Sequence, residues 1–213
     1  MTDTDSPVSA VADFPLPNSG WAVLDDRVVV RISGPGTDKF LQGQFSQNLD
    51  EVTPDRSPRA AAATPKGRAY CLTRMVRAGD DILMDFPSEL ADDIISHLRK
   101  YLMLFRGTTM ELVQETSIVG ILGNELAEKL AETAMGSLRE PGDSCLLRDG
   151  ILVKTQSTAE GTARFEFWHA RGGEIALPAS DRMSVEDGQA SEIAPGAAVA
   201  TATTQGRGRP RRQ

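Results

Sequence analysis

Between Tyr70 and Leu102 the apolar residues change their period once, and that change limits the fold more than any other feature of the chain. Over residues 70–76 two faces alternate: Tyr70, Leu72, Arg74 and Val76 on one, Cys71, Thr73 and Met75 on the other. The turn Ala78-Gly79-Asp80-Asp81 follows, and residues 82–86 return as a second strand. After Pro87 the period becomes helical. Ser88 is suited to cap the helix. Leu90, Ile94, Leu98 and Leu102 fall on one stripe, with Ile95 and Tyr101 beside it. An antiparallel pair followed by a one-sided helix must cover one apolar face with the other.

The remaining elements follow the same logic. Strand signals at residues 21–24 and 27–32 are joined by Asp25-Asp26, which reads as a hairpin. Thr37 suits the N-cap of a helix carrying Phe40, Leu41 and Phe45. Residues 50–58 hold loop chemistry, and residues 60–86 read as strands. Strands are expected near 110–114, 118–122, 145–147, 151–154 and 164–168. Asn124 is placed to cap a helix with Leu126, Leu130 and Ala134. The order β-β-α-β-β-α-β-β-α-β-β-β predicts an α+β fold, two-layered, with helices on antiparallel or mixed sheets.

Residues 1–20 are polar and proline-punctuated and are expected to be a mobile lead-in. Residues 21–115 and 116–171 read as two subdomains, the second of them partial. From residue 172 to 213 the chain is rich in Gly, Ala, Thr and Arg and has no Phe, Trp or Tyr. Such a segment buries too little surface to offset its ordering entropy, so a disordered tail is expected.

The net charge of -7 argues against a nucleic-acid surface spread over the whole body. The one basic segment is the C-terminus, with Arg207, Arg209, Arg211 and Arg212 and no acid after residue 200. It is either a solvated tail or a contact to RNA phosphates. Cys71 and Cys145 are far apart and form no C-x-x-C, which fits a reducing compartment. The acidic N-terminus lacks the basic and apolar regions of a signal peptide, and no apolar run suits a membrane span. A cytoplasmic protein is expected.

Several residues carry usable chemistry, each with a plainer alternative. Lys66-Gly67-Arg68 puts two cations on one turn. It is either an anchor for carboxylates or a solvated hairpin turn. Arg74 stands on an otherwise apolar face, as an edge charge or an anion anchor. Gln42, Gln44, Gln47 and Asn48 crowd amides onto and past the first helix. They suit the amide edge of a heterocycle, or simply a polar helix face and its cap. Cys71 is either a thiol activated by nearby cations or a buried structural cysteine. His97 and His169 have no third ligand at metal spacing and read as surface or satisfied core histidines. No catalytic residue and no metal site emerge.

Two motifs carry a family resemblance. Phe40-Leu41-Gln42-Gly43-Gln44-Phe45-Ser46-Gln47-Asn48-Leu49 follows a strand and the turn Ser33-Gly34-Pro35-Gly36. Ala60-Ala61-Ala62-Ala63-Thr64-Pro65-Lys66-Gly67-Arg68-Ala69-Tyr70 follows it in turn. Together, from about residue 21 to 168, they resemble the YgfZ/GcvT-like folate-binding family, which is related to the glycine-cleavage aminomethyltransferases. The resemblance implies a GcvT/YgfZ-like fold and a tetrahydrofolate or related folate as cofactor. It also implies a role in iron–sulfur cluster assembly or repair, with iron–sulfur proteins as partners and an effect on tRNA modification. Aminomethyl transfer is the alternative, and a non-catalytic remnant of the family a third reading. In the aminomethyltransferases the corresponding strand opens on G-G-x-x-D-D, whereas Lys66 to Cys71 holds no acid. By resemblance the folate-binding candidates are Lys66, Gly67, Arg68, Arg74, Cys71, Thr73, Gln44 and Asn48.

YgfZ-like proteins also carry a K-G-C-[YF]-x-G-Q-E segment, and no such string occurs in this chain. The resemblance therefore implies a chain truncated or frame-shifted after about residue 172. That expectation makes folate binding weak or lost.

Overall fold

The computed structural model describes residues 17–64 and 66–183. The fold is α+β. In chain order the elements are β1 Gly20–Val23, β2 Arg27–Ser33, α1 Thr37–Gln44, β3 Arg59–Ala63, β4 Ala69–Ala78 and β5 Asp81–Pro87. Then come α2 Ala91–Leu102, β6 Thr109–Val113, β7 Thr116–Leu122, α3 Asn124–Ala131, β8 Ser144–Leu147, β9 Gly150–Thr155 and β10 Arg164–Ala170. Residues 60–86 make three strands, because the alanine run of β3 forms a strand of its own. None of Thr37, Ser88 and Asn124 caps a helix as read. Gly36, Leu90 and Gly123 hold the N-cap positions of α1, α2 and α3, with no side-chain cap.

The strands form two five-stranded sheets, sheet I in the order β3-β4-β5-β2-β6 and sheet II in the order β1-β7-β10-β9-β8. Every ladder within them is antiparallel. The hairpin expected across Asp25-Asp26 does not form. β1 pairs with β7 in sheet II, whereas β2 lies between β5 and β6 in sheet I. The reason is burial. Val29 and Val30 are both buried, on opposite faces of β2, and a strand apolar on both faces belongs in a sheet interior. Asp25-Asp26 is thus a crossover from sheet II to sheet I. The first strand therefore packs with residues 116–170, not with its neighbours in sequence.

Alternation along the strands sets helices on the outer face of each antiparallel sheet, as expected, and packs the two sheets face to face. Phe40 and Leu41 of α1 and Ile94 and Leu98 of α2 pack against Val30, Ile32, Met75, Ile82, Met84 and Phe86 on the outer face of sheet I. Leu126 and Ala127 of α3 pack against Val119, Ile121, Phe165 and Phe167 on the outer face of sheet II. The two inner faces meet through Val29, Val76, Leu83, Ile118, Ile151, Val153 and Trp168. The loop before β3 ties the sheets together: Ser57 Oγ donates to Ser144 Oγ at 3.0 Å, and Ser144 N donates to Asp55 O at 2.9 Å.

Residues 172–183 are not part of a loose tail. Leu177 is buried against sheet II, and Trp21 Nε1 donates to Pro178 O at 2.8 Å. Met183 N donates to Trp21 O at 2.8 Å, and the Arg182 guanidinium lies over the Trp21 ring. A few well-placed apolar and backbone contacts order a segment that composition alone marks as solvated. The rest of the expected tail, and nearly all of the expected lead-in, lie outside the described residues.

Candidate functional site

The β3–β4 hairpin carries most of the candidate site residues. Arg59 pairs with Arg74 and Ala61 with Leu72 in the ladder. These four side chains share the face turned toward sheet II. Val76, further along that face, is fully buried between the sheets, whereas Leu72 is 46% exposed. Ala63 is exposed too. The hairpin therefore runs out past sheet II and presents a small-residue shelf, Ala61, Ala63 and Leu72. At about 3.3 Å per residue the shelf is roughly 13 Å long from Arg59 to Ala63.

Its inner end is ionic. Glu166 of β10 lies across the sheet interface from Arg74. Arg74 Nε donates to Glu166 Oε2 at 2.6 Å, and Arg74 Nη2 donates to Oε1 at 3.1 Å. Arg74 Nη1 donates to Ser57 O at 2.8 Å. Arg59 Nη2 reaches Oε1 at 3.3 Å, longer than either contact from Arg74, and its side chain is 37% exposed. Trp168 Nε1 also approaches Oε2, at 3.4 Å. Burial on its own would push the Glu166 carboxyl up. The Arg74 charge and hydrogen bonds, with Arg59 and Arg27 adding, outweigh that and hold it well below the usual carboxylate range. Glu166 is therefore an ionised acceptor at the head of the shelf.

The outer end is the turn. Thr64 N donates to Arg68 O at 2.9 Å, and Gly67 N donates to Thr64 O at 2.8 Å. Gly67 sits at φ +77, a left-handed conformation that glycine adopts without strain. Lys66 and Arg68 are exposed at the tip.

The eight residues expected to bind ligand do not all converge. Lys66, Gly67 and Arg68 are together at the tip, but Arg74 is not clustered with them. It is buried at the opposite end of the shelf, with its guanidinium engaged by Glu166. Cys71 and Thr73 alternate away from the shelf, because a β-strand points successive side chains to opposite faces. Cys71 is in the core beneath α2, and burial, then Asp85, pushes its thiol up to about 12, with Arg27 opposing. The reactive-thiol alternative fails on that burial. Thr73 Oγ1 bonds Arg74 O at 3.1 Å and Asp85 Oδ1 at 3.4 Å. Gln44 ends α1 half-buried, and Asn48 caps a short helical turn by accepting from Asp50 N at 3.2 Å. Gln42 and Gln47 are likewise engaged locally, with Leu49 N and Glu51.

Sequence reasoning missed Glu166, Arg59 and Trp168. The signal was faint: a single acid in the apolar run Phe165-Glu166-Phe167-Trp168, which needs a buried cation for company. The histidines are packed. His97 lies between Tyr70 and Tyr101, with ring centroids 5.0 and 5.3 Å away. A bulge beside Tyr70 in β4 turns its ring onto α2. His169 shares a hydrogen bond of 3.0 Å with Ser117 Oγ. Among the described residues no group of acids, cysteines and histidines could hold a metal ion. None of their helices is long and apolar enough to cross a membrane.

No family profile matches the chain. Curated relatives do. The "tRNA-modifying protein YgfZ" of Yersinia pestis (strain Pestoides F) is 28% identical over 146 residues, 64% of this chain and 44% of the relative. The protein of the same name from Shigella dysenteriae serotype 1 is 27% identical over 108 residues, 51% of this chain and 33% of the relative. The chain thus spans less than half the length of these relatives. Among solved structures, the glycine cleavage system aminomethyltransferase T from Bartonella henselae superimposes with a TM-score of 0.60. Its identity is 14%, and the match covers 71% of this chain and 42% of that one. The resemblance read from the two motifs stands in both respects: the chain is YgfZ-like in sequence and GcvT-like in fold.

Proposed function

We propose that the shelf on the β3–β4 hairpin binds a tetrahydrofolate, and that the chain acts, as a YgfZ-like protein, in iron–sulfur cluster assembly or repair with an effect on tRNA modification. The observation that carries the ligand reading is Glu166. It is a buried, ionised carboxylate at the head of an exposed apolar surface. A pterin presents adjacent N–H donors on one edge, and a carboxylate is their natural acceptor. Arg59, with a longer contact to Glu166 than either from Arg74 and a half-exposed side chain, is the group that yields its place to a ligand donor. Ala61 and Leu72 form an apolar floor for the ring system. Lys66 and Arg68, at the far end, suit the two carboxylates of the glutamate moiety.

The hairpin favours this reading over aminomethyl transfer, because residues 56–79 contain no Asp or Glu to meet the folate there. An open shelf encloses a ligand poorly, so the affinity is weak, on the order of hundreds of micromolar. Titration calorimetry with tetrahydrofolate tests this on the full chain and on Lys66→Ala/Arg68→Ala and Glu166→Gln. Both variants are expected to bind at least about threefold more weakly than the parent. The reading is overturned when neither variant changes the affinity, or when the parent shows no heat of binding at millimolar ligand.

A further inference from the structure

The tip of the β3–β4 hairpin meets the C-terminal end of α2, and the corner they make has one sign of charge. Residues 56–79 and 94–110 contain no acid at all, in a chain that is acidic overall. Tyr70 of the hairpin contacts His97, and His97 contacts Tyr101, which fixes the two segments together. Lys66 and Arg68 stand at the hairpin tip next to Tyr70, Lys100 precedes Tyr101, and Arg99 and Arg106 lie on the other flank of α2 and just past its end; all five are exposed. None of the five forms an ion pair with another described residue. Arg27, Arg31, Arg56, Arg59, Arg74 and Arg77 each face a carboxylate, whereas Lys39, Lys129, Arg139, Arg148, Arg171 and Arg182, scattered over other surfaces, form no ion pair with a described residue. The corner is also apolar at its surface. Tyr101 is 41% exposed, and Met103 and Leu104 are 81% and 78% exposed.

We infer that this corner is a docking surface for single-stranded RNA. It rests on the RNA half of the function proposed above and not on the folate half. Unneutralised Lys and Arg side chains attract phosphates, and exposed aromatic and apolar side chains let bases stack between them. A polyglutamate chain would use the cations and leave Tyr101, Met103 and Leu104 in water, so the combination points to nucleotides. The charge at this corner is set by the fold, because residues far apart in sequence supply it. Composition reads only the Arg-rich C-terminus as basic.

The test is fluorescence anisotropy of a labelled single-stranded RNA about 12 nucleotides long, within the usual range of site sizes. The full chain is titrated at low salt, with an oligoglutamate of equal charge as competitor. Binding is expected to weaken about tenfold in Lys66→Glu/Arg68→Glu/Lys100→Glu, and by about fivefold or more in Tyr101→Ala with recovery in Tyr101→Phe. Engagement of about four phosphates gives a slope of log affinity against log salt near -3. If a charge-reversed variant melts early, Lys66→Gln/Arg68→Gln/Lys100→Gln replaces it. Replacing Arg207, Arg209, Arg211 and Arg212 by Ala is expected to leave most of the affinity. The proposal is overturned by absence of binding, by loss in the C-terminal variant alone, or by complete displacement by oligoglutamate with Tyr101→Ala unaffected. No folate enters the assay, so its failure and that of the folate reading are separate results.

Discussion

Arg74 Nε lies 2.6 Å from Glu166 Oε2, joining strands 92 residues apart in sequence and in different sheets. The pair does two things at once. It fills the polar end of an otherwise apolar sheet–sheet interface, and it fixes an ionised carboxylate where that interface opens onto the β3–β4 shelf. Asp85 and Arg27 do the first of these alone, at 2.9 Å and with both side chains largely buried.

Removing one member of the pair is expected to cost more than removing both. Arg74→Ala leaves Glu166 buried without its main partner and should lower the unfolding free energy by about 3–5 kcal/mol. Arg74→Met with Glu166→Leu should recover most of that loss, since no charge remains buried. Urea unfolding measures both. A loss below about 1 kcal/mol for Arg74→Ala would show that water reaches the pair freely.

His169 gives stability a pH dependence of known sign. Burial lowers its pKa from 6.5, with a backbone hydrogen bond at Ala170 partly opposing, so the folded state favours the neutral ring. Below about pH 6.5 the unfolded chain binds a proton that the folded chain refuses until its own lower pKa is reached. Stability from this group is therefore complete above pH 6.5 and is lost as pH falls through that window. Unfolding curves between about pH 5 and 7 should slope upward in the parent and more shallowly in His169→Gln. Equal slopes would assign the dependence to other groups.

The segment over β1 is expected to behave as part of the fold. Protease resistance should extend past Leu177 toward Arg182 and not end near residue 171. Arg182→Ala should cost about 0.5–1 kcal/mol through the Trp21 ring. Cleavage between residues 173 and 182 in the folded protein, at the rate of an unfolded peptide, would contradict the packing of Leu177 and Pro178 on sheet II.

Leu98 is fully buried under α2. Leu98→Ala should destabilise by about 2–5 kcal/mol in thermal or urea unfolding, and a loss below about 1 kcal/mol would place the helix out of phase.

The elements that were legible in the sequence are those whose signal is local. The stripe of α2 and the alternation of β4 each follow from one period. The stripe holds at Ile94 and Leu98 but not at Leu90, 49% exposed before the helix. The alternation holds from Leu72 to Val76 but not at Tyr70, which the bulge turns onto α2. What failed was pairing. Asp25-Asp26 has hairpin chemistry, yet Leu24 N bonds Ile118 O and the chain changes sheets there. Long-range pairing depends on which faces need cover, and β2 is apolar on both. The site was half legible for the same reason. The cations at Lys66 and Arg68 announce themselves on a turn. Arg74 looked like their neighbour until a carboxylate from β10 claimed it, and Glu166 itself is one acid in an apolar strand. Residues 172–183 were misread because four anchoring contacts weigh nothing in a composition.

The most direct measurement for the shelf is methyl NMR of the full chain with labelled Leu and Ala, titrated with tetrahydrofolate. Leu72 and Ala61 line the proposed floor, and Leu112, 51% exposed on β6, is the control on the edge of sheet I opposite β3. The expected result is a saturable shift of the Leu72 and Ala61 methyls, with a midpoint at least about threefold higher in Glu166→Gln and with Leu112 unmoved. Shifts at Leu112 and not at Leu72, or shifts at Leu72 that survive intact in Glu166→Gln, would contradict a folate site anchored at Glu166.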